Sequence, residues 1–150
     1  MEKPELTVFC THRDAVVPSR KSEGAAGYDL HTVKEEIVPK RTRVVIPLEI
    51  VIEVPYGYYG RIAPRSGLAV KGWDTKAGVI DRDYRGKVAV IGVNTSDEEM
   101  KFAKGERIAQ LILEKCGDLN VRQVYSLDEM TQTERGSGGF GSTGRGDVKA

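Results

Sequence analysis

The stretch Arg43-Val44-Val45-Ile46-Pro47-Leu48-Glu49-Ile50-Val51-Ile52-Glu53-Val54 has the clearest periodicity in the chain. Val44, Ile46, Leu48, Ile50, Ile52 and Val54 fall on one face, with Pro47, Glu49 and Glu53 on the other. A period of two over this length predicts a half-buried strand, or two strands joined at a bend near Pro47. Proline has no N–H to give to a ladder, so Pro47 puts that section on a sheet edge or at a bulge. Outward from here the same kind of run recurs. Leu6 to Phe9, Tyr28 to Val33, Tyr58 to Ala63, Lys87 to Val93 and Ile108 to Leu113 read as strands, with Val121 to Tyr125 as one more, weaker candidate. Pro55-Tyr56-Gly57, Ser96 to Glu99 and Lys104-Gly105-Glu106 are the turns between them. Helical periodicity is confined to one short helix at Ser66 to Lys71 and a turn at Leu127 to Gln132. Many short strands with regular turn signals predict an all-β fold, a sandwich, jelly roll or small barrel, as a single domain over residues 1–150. From Thr131 the composition changes. Residues 131–150 are rich in glycine, have little to bury except Phe140, and are expected to form a mobile arm.

A chain of 150 residues with Lys+Arg 23 against Asp+Glu 22 has a net charge of +1. That balance excludes a general nucleic-acid footprint, which needs a clustered basic excess. Any anionic ligand must therefore be met by local cations. Cys10 and Cys116 have no paired spacing and no neighbouring ligand set, which points to a reducing intracellular compartment, cytoplasmic or nuclear, and a soluble chain. Cys10-Thr11-His12 is too short a cluster for zinc, and His31 reads as a half-exposed strand residue. No apolar run approaches ~18 residues, so no membrane partner is expected. The opening residues lack the plan of a signal peptide.

Three stretches carry chemistry. Gly78-Val79-Ile80-Asp81-Arg82-Asp83-Tyr84-Arg85-Gly86 reads as a strand end, Val79-Ile80, and a turn into the strand at Lys87. Its tip offers backbone N–H and C=O groups, a carboxylate and a flat ring, a set suited to holding a planar polar ligand and activating a water beside it. Pro64-Arg65-Ser66-Gly67-Leu68-Ala69 places a guanidinium, a hydroxyl and a glycine amide at a helix start, a phosphate-binding combination, or else an ordinary Ser cap with a solvated Arg. In Lys104-Gly105-Glu106-Arg107-Ile108-Ala109-Gln110-Leu111, Arg107 and Gln110 point to opposite faces if the strand is regular. Gln110 then sits among apolar neighbours and needs partners, either a ligand or a cross-strand bond. In the tail, Gly136-Ser137-Gly138-Gly139-Phe140-Gly141 matches a dinucleotide fingerprint in letters only, since no strand leads into it and no helix follows. Arg145-Gly146-Asp147, a cell-adhesion tripeptide in letters, is read as chance.

Five stretches in order resemble the five motifs of the homotrimeric dUTP pyrophosphatase (dUTPase) family. They are Ala26-Gly27-Tyr28-Asp29-Leu30, Pro64 to Ala69, Gly78 to Gly86, Gly105 to Leu111, and Arg135-Gly136-Ser137-Gly138-Gly139-Phe140-Gly141-Ser142-Thr143-Gly144. The resemblance implies a jelly-roll-like trimer whose active sites take pieces from three subunits, and Mg2+-dependent hydrolysis of dUTP to dUMP and pyrophosphate by water attack on the α-phosphorus. It implies that Asp81 is the general base and that Asp29 holds the magnesium through water. Arg65, Ser66, Gly67 and Gln110 would bind phosphates. Gly78 to Tyr84 would form the hairpin that reads uracil through its backbone, with Gly78, Val79, Ile80 and Asp81 among the residues that bind substrate and Tyr84 under the deoxyribose. Arg135, Phe140 and Gly141 would come from the closing arm, the arginine on the γ-phosphate and the ring over the base. Arg82 and Asp83 stay structural or peripheral. A dCTP deaminase of the same fold, or a module that binds nucleotide or protein without turnover, are the alternatives; no residue here plainly supplies the deaminase's proton-transfer machinery.

Overall fold

The computed structural model describes residues 2–141. Positions 142–144 of the fifth motif and the tripeptide at 145–147 lie outside them. The chain divides into two compact units, Met1–Asp118 and Leu119–Ala150. The first holds eleven strands: β1 Thr7–Cys10, β2 Tyr28–His31, β3 Glu36–Val38, β4 Thr42–Pro47, β5 Ile50–Glu53, β6 Tyr58–Ala63, β7 Trp73–Lys76, β8 Val79–Ile80, β9 Ala89–Asn94, β10 Met100–Phe102 and β11 Arg107–Lys115. One short helix, α1, spans Ser66–Val70. Every pairing is antiparallel. The strand orders are β1-β5, β3-β10, β4-β9-β7 and β2-β11-β6-β8. The fold is all-β and jelly-roll-like.

The alternating stretch 43–54 forms two strands, β4 and β5, which lie in different sheets. They part at Leu48-Glu49, where Glu49 has φ 55. Val88 serves both sides of the break: its carbonyl accepts from Leu48 N at 3.0 Å and its N–H donates to Ile50 O at 2.8 Å. Pro47 ends β4, an edge strand of its sheet, where its missing N–H leaves no gap in a ladder. Because the period continues through the bend, Ile46, Leu48, Ile50, Ile52 and Val54 all stay buried. Each such side chain contributes about 1.5–3 kcal/mol by leaving water. They meet Leu30, Ile62, Val90, Ile108 and Leu111 in one core.

Trp73, fully buried, anchors that core. Its ring meets Phe102 edge-on at 4.8 Å, its Nε1 donates to Ile108 O at 3.0 Å, and it fills the space over Gly92. A Cβ on Gly92 would lie 2.1 Å from the Trp73 ring, so the glycine is there for the indole. Sequence patterning did not find β3, β7 or β10.

Two readings need correction. Asp81 to Gly86 is not the turn of a paired hairpin, because β8 pairs with β6 while β9 pairs with β4 and β7. The chain leaves β7 at Ala77 (φ 55) and Gly78 (φ 84), two consecutive left-handed residues that hand it from one sheet to the other; β9 then begins at Ala89 rather than Lys87. Residues 121–125 belong to no strand. In that second unit the regular element is a 3-10 turn at Leu127–Glu129, capped by Ser126 Oγ accepting from Asp128 N.

Candidate active site

One group of site residues gathers at the end of β6. Asp29 on β2 and Gln110 on β11 are register partners, and Gln110 also pairs with Ala63 on β6. Gly27 makes the room: a Cβ there would lie 1.9 Å from Gln110 Oε1. Gln110 Nε2 donates to Pro64 O at 2.8 Å, which ties the amide to the turn that leads into α1. Arg65 caps α1 through its backbone, and its Nη1 donates to Arg107 O at 2.8 Å. Its Nε stands 4.0 Å from Asp29 Oδ1. The Ser66 side chain makes no capping bond, and Ser66 and Gly67 are exposed at the first helical turn, where amides have no intrahelical acceptor.

Arg107 was left outside the site by the expectation that it and Gln110 face opposite ways. A bulge corrects this. The β11–β2 register shifts between Arg107 and Ala109, so Ile108 and Ala109 are both buried and Arg107 joins Gln110's side. Its Nη1 reaches Asp29 Oδ2 at 3.5 Å. Two guanidiniums therefore flank one half-buried carboxylate, leaving a net positive charge beside free helix amides. That arrangement suits a phosphate group. His31, next to them on β2, has its pKa held below the ordinary imidazole value by burial, with the Arg107 and Arg65 charges in the same direction and Asp29 opposing. It is neutral at neutral pH, and its Nδ1 is buried without a partner among the described residues.

A second group lies around β8. As the outer strand of β2-β11-β6-β8, Val79–Ile80 bonds β6 along one edge and offers backbone groups along the other. Gly78 is fixed from behind, because Ile62 N donates to Gly78 O at 2.8 Å. A cleft of about 290 Å³ opens here, lined by Gly78, Val79, Ile80, Asp81 and Tyr84 together with Val45, Ile62 and Ile91. Asp81 is exposed at its rim and also borders a neighbouring cleft of about 360 Å³ with Tyr59 and Arg82. Tyr84 N donates to Asp81 O at 3.1 Å, and Tyr84 Oη to Lys87 O at 3.0 Å. Arg85 braces the loop through Arg82 O (2.8 Å), Tyr84 O (3.1 Å) and Glu53 (3.0 Å). Arg82 lies over the Tyr56 ring at 5.0 Å. Arg85 was given no role from the sequence; only its three bonds reveal the brace.

The two groups do not meet within the chain. Ile80 pairs with Gly60 and Gln110 with Ala63, on opposite sides of β6 and three residues apart along it. That is roughly 10 Å along the strand and another roughly 10 Å across it, and Asp81 lies one residue further away. In the second unit, Arg135 Nε donates to Gly138 O at 2.6 Å and Gly138 N to Arg135 O at 3.2 Å. This turn precedes Phe140, which is fully exposed with φ 51, and Gly141 with φ 80.

A cation cluster flanking a carboxylate suits a phosphate group, and a backbone-edged cleft beside an exposed aspartate suits a planar polar ligand. The chain belongs to the dUTPase family, whose model matches residues 13–144. It is 51% identical over 142 residues to the deoxyuridine 5'-triphosphate nucleotidohydrolase of Kluyveromyces lactis, a match that covers 93% of this chain and 94% of that protein. It is 53% identical over 131 residues to the enzyme of the same name from Paramecium bursaria Chlorella virus 1, covering 87% and 91%. The dUTPase of Staphylococcus bacteriophage 80alpha, solved with dUpNHpp, superposes with a TM-score of 0.85 at 26% identity over 93% of this chain and 98% of that one.

Proposed function

We propose that this chain hydrolyses dUTP to dUMP and pyrophosphate, as a homotrimer in which the two residue groups of different subunits complete one site. The observation that carries the reading is the backbone-edged cleft at β8, with Asp81 on its rim and Tyr84 as its wall, in a dUTPase-family chain. Uracil presents a planar row of acceptors and a donor, which an open strand edge can meet directly. Cytosine reverses part of that polarity and would leave buried groups unpaired. Asp81 takes a proton from the water that attacks the α-phosphorus; the bond to the bridging oxygen breaks and pyrophosphate leaves. Arg65, Ser66, Gly67 and Gln110 hold the phosphates, and Arg107 adds a cation behind them. Arg135 from the C-terminal unit is assigned to the γ-phosphate, with Phe140 and Gly141 over the base.

Assembly is supported by distance. An α-phosphorus beside Asp81 and the phosphates bonded to it cannot also reach an Arg65–Gln110 clamp that is two strands and three residues away on the same chain. Exposed apolar side chains support it too: Leu119, Val121, Tyr125 and Leu127 are each more than four-fifths exposed.

Among the described residues no group of three His, Cys, Asp or Glu could hold a metal. That fits magnesium, which keeps its waters and binds through one or two carboxylates and substrate phosphates rather than in a protein cage. Asp29, half-buried beside Arg65, is assigned such a water-mediated contact. When bound, magnesium neutralises charge on the phosphates. The test is pyrophosphate release with magnesium from dUTP, dCTP, dTTP and UTP in parallel, with ammonia followed for dCTP. Release from dUTP alone is expected. Ammonia from dCTP, or no turnover of any of the four, would overturn the reading.

A further inference from the structure

We propose that Gly86 and the Lys87 carbonyl hold the Tyr84 ring as a fixed wall, and that the stiffness of this wall sets the choice between deoxyribose and ribose. The inference rests on the reading that Tyr84 lies under the sugar of a bound dUTP.

Tyr84 is 45% exposed, and an aromatic side chain so open to water ordinarily changes rotamer within nanoseconds. Here two contacts hold the ring, and a backbone bond holds the residue that carries it. Its N–H donates to Asp81 O at 3.1 Å, its Oη donates to Lys87 O at 3.0 Å, and its ring lies against Gly86. A Cβ built on Gly86 would fall 2.2 Å from Tyr84 Oη and 2.4 Å from Cζ, far inside van der Waals contact. Gly86 is not among the left-handed glycines of the chain, so its backbone would accept an L side chain. The glycine is there to make room for the ring.

The surrounding loop decides what moves when that room is filled. Arg85 bonds the carbonyls of Arg82 and Tyr84 and the carboxylate of Glu53, which pins the backbone on both sides of Tyr84. The ring, the free end of a half-exposed side chain, is then the part that yields. A single hydroxyl is a small feature to reject, and a pocket rejects it by sterics only if the wall does not give way. A methyl group at position 86 breaks the Lys87 bond, tilts the ring outward and lets the 2′-hydroxyl in.

The experiment measures kcat/KM for dUTP and UTP, by pyrophosphate release with magnesium, in the full-length wild type, Gly86→Ala and Tyr84→Phe. The Phe variant removes only the hydroxyl that holds the ring to Lys87. Gly86→Ala is expected to narrow the dUTP-to-UTP ratio by about tenfold, the scale of one methyl-sized contact, and Tyr84→Phe to narrow it by less. A merely structural loss would lower both substrates together and leave the ratio unchanged, and that result overturns the inference. Should Gly86→Ala give no folded protein, the ratio for Tyr84→Phe decides alone: narrowed supports the fixed wall, unchanged refutes it. Failure of the underlying reading looks different, because the wild type itself would not turn over dUTP.

Discussion

Asn94, fully buried at the end of β9, shows how much one polar side chain can organise. Its Nδ2 donates to the carbonyls of Val38, Pro39 and Glu98, at 3.1, 3.2 and 2.8 Å, and its Oδ1 accepts from Ser96 N at 3.0 Å and Ser96 Oγ at 2.7 Å. Two segments, 38–39 and the turn 96–98, are thus tied to one amide, and each loses its partner if the amide goes. Asn94→Ala should cost about 3 kcal/mol in a urea titration, mostly from the carbonyls left unpaired. Glu114 is a case at the surface. It accepts from Tyr59 Oη and from Arg61 Nε, and its carboxyl is held below the ordinary glutamate value chiefly by the Tyr59 hydroxyl and then by Arg61. A lowered folded-state pKa stabilises the fold above the unfolded value and loses that effect as pH falls through the folded one. The melting-temperature difference between wild type and Glu114→Gln should therefore be widest above about pH 4.3 and close below it. A difference that stays constant across that range would remove Glu114 from the acid sensitivity of the fold.

The connection between β7 and β8 is where the element scale matters most, because two left-handed residues there decide which sheet the chain joins. Gly78 carries φ 84, and a Cβ on it would sit 2.8 Å from Ile62 O, while Ile62 N donates to Gly78 O at 2.8 Å and holds the two backbones together. Gly78→Ala meets both a conformational cost of about 1–2 kcal/mol and a clash with an immovable carbonyl. It should lower the melting temperature and, by shifting the edge of β8, raise KM for dUTP more than it lowers kcat. An unchanged KM would separate β8 from base recognition. The strands were legible where apolar residues alternate over five or more positions, as in 43–54, since that pattern has one physical outcome. β3 and β10 are three residues long and offer no period to read. The handover at Ala77 was hidden because alanine gives no signal of positive φ, and the bulge in β11 because Ile108 and Ala109 are both apolar in either register. That bulge is also why Arg107 escaped notice: counting by twos put it on the wrong face. The segment 121–125 has β-prone Val121, Val124 and Tyr125 but no period of two, and it forms no strand among the described residues, so composition alone named a candidate without a partner.

At the scale of the whole molecule, the core and the proposed chemistry are separable. The buried core cluster draws its residues from Leu30 to Leu111, so a chain ending at Glu134 loses none of it. Such a truncation should melt within a few degrees of the full chain while turning over dUTP about a hundredfold more slowly, the scale expected when one charge-stabilising group is removed. Full activity would dismiss Arg135 from the site. The deeper question is whether one subunit or several make the site, and the register of β6 gives a way to ask it. Asp81→Asn should bind nucleotide but leave it intact, and Arg65→Ala should fail at the phosphate clamp, so each protein alone is expected to be inactive. If the base and the clamp come from different subunits, mixed trimers rescue one another. A site in which the base comes from an Arg65→Ala subunit and the clamp from an Asp81→Asn subunit is intact. For trimers reassembled at random from equal parts, each subunit choice succeeds half the time, so about a quarter of the sites should work. Unfolding the two variants together, refolding them and measuring pyrophosphate release should recover activity near that fraction of wild type, whereas refolding either alone should recover none. If each chain carried its own complete site, every site in the mixture would keep one lesion and activity would stay at the level of the separate variants.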